Sequence, residues 1–126
     1  MGIAIQSLGT AHANGLLEHL LGLMKKHNPV GFESLNYLTS MPPKAYRWIG
    51  EMEEISKTFE GEGFDPRIFL GTSETFRWIT EDTELGKEVI GYRNKGQDIE
   101  NVCHWIVEGV ARSKGVRGSS VNMKPS

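Results

Sequence analysis

The chain predicts an all-α fold, a compact bundle of about five or six helices, and three observations carry that expectation. Apolar residues recur at steps of three and four along most of its 126 residues, the spacing of one helical face. Prolines and glycines fall where periodic stretches begin and end, as helix starts and stops require. No stretch reads as a strand.

The elements follow in order. From Ile3 to Lys26, Ile5, Leu8, Ala11, Leu16, Leu20, Leu23 and Met24 mark one face of a first helix. Gly9, Gly15 and Gly22 interrupt it, each costing roughly 1 kcal/mol against alanine in a helix interior, and close helix–helix packing is their expected return. Pro29 disfavours helix at Asn28 and ends the element. A shorter helix is expected over Gly31–Thr39. Ser40 then caps a helix whose first turn holds Pro42 and Pro43, where the missing N–H groups are no loss. The run Lys44–Glu60 carries Ala45, Trp48, Ile49, Met52, Ile55 and Phe59 on its apolar stripe. Its polar face offers two pairs four residues apart, Arg47 with Glu51 and Glu53 with Lys57. Gly61 and Gly63 stop it. Asp65-Pro66 starts the next helix, with Ile68, Phe69, Thr72, Phe76 and Ile79 as its apolar side. Residues 81–96 are polar and glycine-punctuated, a loop holding at most one short helix. Asp98–Ser113 forms the last helix, with Ile99, Val102, Ile106 and Val110 inward. Residues 1–113 thus read as one domain and 114–126 as a flexible tail.

Composition narrows the function classes. Fourteen basic and sixteen acidic residues leave a formal charge of −2, so no electrostatic case exists for nucleic acid or an anionic membrane. No apolar run is long enough to span a bilayer, and no basic segment precedes an apolar one as in a secretory signal. The lone cysteine, Cys103, excludes a disulfide framework and a multi-thiolate zinc site, so a reducing, cytoplasmic setting is expected. In a helix with no pattern favouring a thiolate, it reads as a small buried apolar group.

The catalytic and cofactor motifs are informative by their absence. No glycine-rich phosphate loop follows a strand, so no backbone cradle for NAD or ATP is expected. Gly71–Thr75 lacks the strand–turn–helix context of a nucleophile elbow around Ser73. His12 and His19 are seven apart on one helical face, about 10 Å, too far for one metal ion without outside ligands. No cofactor and no metal are expected.

One block is distinctive: Ala45-Tyr46-Arg47-Trp48-Ile49-Gly50-Glu51-Met52-Glu53-Glu54-Ile55-Ser56-Lys57-Thr58-Phe59-Glu60. It resembles a signature in the C-terminal domain of phosphogluconate dehydrogenase-like NAD-binding proteins, the domain of unknown function numbered 1932. The resemblance continues through Gly63-Phe64-Asp65-Pro66 and Phe69 to Phe76. It implies an all-α domain like the C-terminal half of 6-phosphogluconate dehydrogenase. In such proteins the domain follows a Rossmann half, forms the dimer contact and supplies one wall of the substrate cleft. The family's opening helix carries a catalytic lysine about eight residues before a Lys-Gly pair. Asn14-Gly15 resembles that pair, which places Gln6 at the lysine position. Glutamine can hydrogen-bond a carbonyl but cannot deliver a proton.

Two functional readings follow. In the first, the chain is a cofactor-independent enzyme, an isomerase or cyclase in a biosynthetic pathway, whose pocket derives from a hydroxyacid-dehydrogenase substrate domain. A proton shift or an intramolecular cycloaddition needs positioned polar groups and a shaped cavity, not a redox cofactor. Its catalytic candidates are His12, Arg47 and Glu51. Gln6, His19, Tyr46, Trp48, Phe69, Phe76 and Trp78 would bind the small-molecule substrate. Gln6 and His12 stand about 240° apart around an ideal helix, so sharing a pocket needs a bend near Gly9 or a second chain. In the second reading the chain is a non-catalytic dimerisation or substrate-binding domain of an NAD-dependent dehydrogenase-like protein. A homodimer is expected; in the second reading the chain is otherwise a partner subunit docking on a separate nucleotide-binding protein. A polar pocket around His12 and Arg47 favours the enzyme.

Overall fold

Gly15 decides the first departure from periodicity. It takes φ of +70°, a left-handed conformation open to glycine, and the long first helix becomes two. A computed structural model describes the backbone of residues 1–122 and the side chains as far as Lys114. Helix α1 runs Gly2–Ala13 and α2 Leu17–His27. Helix α3 (Pro29–Ser34) follows at once. Pro29 occupies its first turn, and the Asn28 side-chain oxygen accepts the Gly31 N–H at 3.0 Å, so one residue pair both ends α2 and starts α3. The single helix expected at Gly31–Thr39 is therefore α3 and a separate turn, α4 (Tyr37–Ser40).

Ser40 does not cap the next helix. It ends α4 and donates back to the Tyr37 carbonyl at 3.3 Å. Pro42–Arg47 form a first 310 turn rather than the opening of an α-helix, closed by Lys44 N–H to Met41 O at 2.8 Å. Helix α5 then runs Trp48–Gly61 and α6 Arg67–Asp82. Asp65 caps α6 as expected, accepting the Arg67 N–H at 2.8 Å. A second 310 turn (Glu84–Lys87) and an irregular stretch lead to α7 (Ile99–Asn122), which Asp98 caps through the Asn101 N–H at 2.7 Å. The segment expected as a tail continues α7 in backbone to Asn122; residues 123–126 and the side chains from 115 onward lie outside the described residues. The all-α expectation holds, with six α-helices of six residues or more and no strand among the described residues. Among these residues no helix is long and apolar enough to cross a membrane.

Helix α6 is the hub, touching α5, both 310 turns, α1 and α7. The core centres on Ile5 and Leu8 of α1, Leu38 and Met41, Phe76 and Ile79 of α6, Leu85, and Val102, Cys103 and Ile106 of α7. Fully burying such a side chain contributes about 1.5–3 kcal/mol, so these contacts are the main hold on the fold. Trp48 meets Phe76 edge to face at 5.6 Å, fixing the start of α5 on α6. Farther along the same pair, Phe59 stacks on Phe69 at 5.2 Å.

Three expectations need correction. Ile68 points outward, 73% exposed, and its place on the inner face of α6 goes to Ser73, whose hydroxyl donates to the Ile49 carbonyl at 3.2 Å. Val110 at 41% exposed, like Leu16 at 53%, Leu23 at 44% and Phe59 at 41%, is not buried on its apolar stripe. The two charge pairs of α5 do not form. Glu53 turns toward α6 and pairs with Arg77 at 2.8 Å, leaving Lys57 to Glu54 at 3.1 Å. Arg47 ends the 310 turn, so helical spacing does not carry it over Glu51; it donates to the Tyr46 hydroxyl at 3.1 Å.

Candidate functional site

Where α1, α6 and α7 diverge they leave a groove of about 920 Å³. Gln6, Thr10 and Asn14 succeed one another at steps of four and present one edge of α1 to it. From α6 come Gly71, Glu74, Thr75, Trp78, Glu81 and Asp82, again one face, with Arg77 beside them. From α7 come Ile106, Val110, Ser113 and Lys114.

Close packing at one end makes the groove possible. A Cβ on Gly9 would stand 2.7 Å from Cγ2 of Ile106, so α1 and α7 meet there at a distance only glycine permits. On the other wall, Gly109 lets the Trp78 ring lie against α7, where an added Cβ would be 3.2 Å from Cζ2. The Trp78 indole N–H donates to the Ser113 hydroxyl at 3.2 Å and so fixes the ring. Asn14 is also held, its side-chain amide donating to the Thr10 carbonyl at 2.8 Å.

Charge in the groove is set by Arg77. One outer nitrogen donates to Glu53 at 2.8 Å, and the other meets the Glu74 carboxylate. Glu53 first and Glu74 second push its pKa above the ordinary guanidinium value. Glu53 is also within 3.4 Å of the Ser73 hydroxyl.

The sequence-predicted candidates scatter about this geometry. Gln6 and Trp78 line the groove. Trp48 and Phe76 belong to the core contact described above, and Phe69 to the α5–α6 stack. His12 is half-buried on α1 and His19 exposed on α2. Tyr46, Arg47 and Glu51 are exposed at the start of α5, and the Arg47 guanidinium lies 5.5 Å from the Tyr46 ring centre. None of His12, Arg47 and Glu51 lines the groove. His12 stands on α1, which packs on α2, α6 and α7, and Arg47 on a turn that packs on α4, α5, α6 and the second 310 turn.

Sequence reasoning missed Thr10, Asn14, Glu74, Thr75, Glu81, Asp82 and Ser113. The signal for α6 was available: Gly71, Glu74, Trp78 and Glu81 recur at steps of three and four on the face opposite the apolar stripe. Among the described residues no group of three or more His, Cys, Asp or Glu side chains is placed to hold a metal ion. Cys103 is buried in the core, and desolvation pushes its thiol up to about 11, which disfavours the thiolate.

The described residues form an all-α bundle with an open groove between its first and last helices. The chain belongs to the family described as "Domain of unknown function (DUF1932)", which matches residues 11–79, more than half its length. That domain is the C-terminal all-α domain of NAD-binding dehydrogenase-like proteins. The match opens within α1 and closes near the end of α6, so Gln6 and α7 lie outside it. Neither a curated protein nor a solved structure matches the chain. The described residues contain no strand–turn–helix unit of the kind that cradles a dinucleotide in a Rossmann half.

Proposed function

We propose that residues 1–113 form a ligand-binding helical domain, the substrate side of an NAD-dependent dehydrogenase-like protein. One observation carries the reading. Gln6, at the position where the resemblance puts a catalytic lysine, lines the α1–α6–α7 groove with Trp78. Amide and hydroxyl groups at Gln6, Thr10, Thr75 and Ser113 surround an apolar floor of Trp78, Ile106 and Val110, the usual make-up of a small-molecule site. No histidine or cysteine lines it, and the Gln6 amide orients a carbonyl or hydroxyl without transferring a proton.

The cofactor-independent isomerase or cyclase reading has less support. It needs His12, Arg47 and Glu51 around one cavity, which requires a second chain. A homodimer is part of our reading, supported by large apolar side chains left in water: Ile3 is 82% exposed and Val30 76%. The buried lone thiol suits a reducing, cytoplasmic setting.

Small-fragment screening by amide and indole NMR tests the proposal. Hits should cluster on Gln6, Thr75 and Trp78. Hits confined to other surfaces would refute the groove. A loss of at least about 100-fold in turnover in both His12→Ala and Arg47→Ala, with the fold intact, would restore the enzyme reading.

A further inference from the structure

We propose that Gly109 and Ser113 of α7 are positioning residues for Trp78, and that the seat they make for its ring suits the groove to a ligand bearing a planar ring, a reading that rests on the groove being the ligand site. Gly109 and Ser113 are four residues apart, so they follow one another on one face of α7. The Trp78 indole N–H donates to the Ser113 hydroxyl at 3.2 Å. A Cβ on buried Gly109 would stand 3.0 Å from Cγ2 of Thr83, 3.2 Å from Cζ2 of Trp78 and 3.5 Å from its Cη2. Nε1, Cζ2 and Cη2 lie along one edge of an indole. That edge is therefore turned to α7, and the ring is held in one orientation on α6.

Ser113 takes the ring's one hydrogen-bond donor, so half-buried Trp78 gives the groove carbon surface alone. A rigid plane of carbon is matched over most of its area by another plane, with stacking or edge-to-face attraction added to the area buried. A puckered ring meets it at fewer atoms and loses those contacts. Room for a ring lies beside it: an added Cβ at Gly71, two turns earlier on α6 and part of the groove lining, has nothing within 4 Å. From α1, Gln6 and Thr10 bring an amide and a hydroxyl to the same groove, one helical turn apart. A flat ring laid on Trp78, with a carbonyl and an N–H at its edge for Gln6 and Thr10, satisfies both walls.

Benzamide and cyclohexanecarboxamide, one polar end on a flat and on a puckered six-membered ring, test this on the purified chain. Binding is read at the Gln6 and Thr75 amide signals, which every variant retains. Benzamide should bind at least about threefold tighter. Ser113→Ala removes the acceptor. It should bring the two probes within about 1.5-fold and speed solvent exchange of the Trp78 indole N–H, a signal assigned by its loss in Trp78→Phe. Ser113→Thr keeps a hydroxyl and should keep both the preference and the slow exchange. Gly109→Ala should weaken benzamide more than cyclohexanecarboxamide, with circular dichroism checking the fold; the Ser113 pair decides if this variant unfolds. Equal binding of the two probes to the parent chain, or a preference unmoved by Ser113→Ala, overturns the planar selection while the groove stands as a site. Equal weakening of both probes by a folded Gly109→Ala overturns the role of Gly109. Silence of the Gln6 and Thr75 signals to both probes at millimolar concentration overturns the groove reading itself, and this inference with it.

Discussion

Gly9 of α1 lies so close to Ile106 of α7 that a Cβ on Gly9 would stand 2.7 Å from the Ile106 Cγ2 methyl. Isoleucine is stiff at χ1 and this one is buried, so the methyl cannot swing away cheaply. Gly22, by contrast, sits in α2 with nothing within 4 Å of an added Cβ. The two alanine substitutions should therefore have opposite signs. Gly22→Ala should gain about 1 kcal/mol from helix propensity. Gly9→Ala gains the same term but suffers overpacking of about 1–3 kcal/mol, for a net loss. Urea denaturation measures both; equal stabilisation would mean that α1 and α7 are not in contact there.

Cys103 should be slow to react. Its thiol is held near pKa 11 against an ordinary 9.0, first by burial and then by the Glu100 charge. At pH 8 that lowers the thiolate fraction by about 100-fold. The raised value favours the neutral thiol in the folded state. The stability this gives is present below pH 9.0 and is lost as pH rises toward 11. Iodoacetamide labelling at pH 8 should be at least about 100-fold slower than for a free thiol and reach the free rate in urea. Rapid labelling of the folded chain would place Cys103 outside the core.

Acid should destabilise the fold through particular carboxylates. The Arg67 side chain, then its N–H, holds Asp65 below its ordinary 3.8, and Lys87 holds Glu84 below 4.5. Lowered values favour the ionised forms in the folded state. Their contribution is complete above pH 4.5 and falls away as pH drops through the lowered folded values. Thermal melting from pH 7 to 2 should show a plateau and then a decline that Asp65→Asn makes shallower. A decline that this substitution leaves unaltered would mean that Asp65 makes no such contact.

Light scattering at micromolar concentration should give twice 14.1 kDa. Val30→Glu and Ile3→Glu together should halve that mass if these exposed side chains form the contact. A monomer at every concentration would refute the dimer.

Titration calorimetry with NAD and NADP should show no micromolar binding by this chain, because no strand–turn–helix unit supplies a pyrophosphate cradle. Micromolar affinity for either would overturn that expectation.

The sequence by itself determined the class of fold and several element ends. Periodicity and local hydrogen-bond chemistry are short-range, so Asp65 and Asp98 marked helix starts, and Pro29 a helix end, that the structure contains. It also carried the family, through the block from Tyr46 to Phe59. Local spacing could not decide between equally spaced partners. Glu53 could satisfy Lys57 on its own helix, and only the packing of α6 onto α5 gave it Arg77 instead. Nor could it tell that Gly15 would turn the chain while Gly22 stayed helical, because identical residues differ only in what the rest of the chain requires of φ. The groove is the clearest case. Gln6, Trp78 and Ser113 lie far apart in sequence, and only the approach of α1 to α7 at Gly9 and the seating of Trp78 on Gly109 bring their helices around one space. Helix faces are written locally; which faces are left facing each other across a gap is settled by packing the whole chain at once.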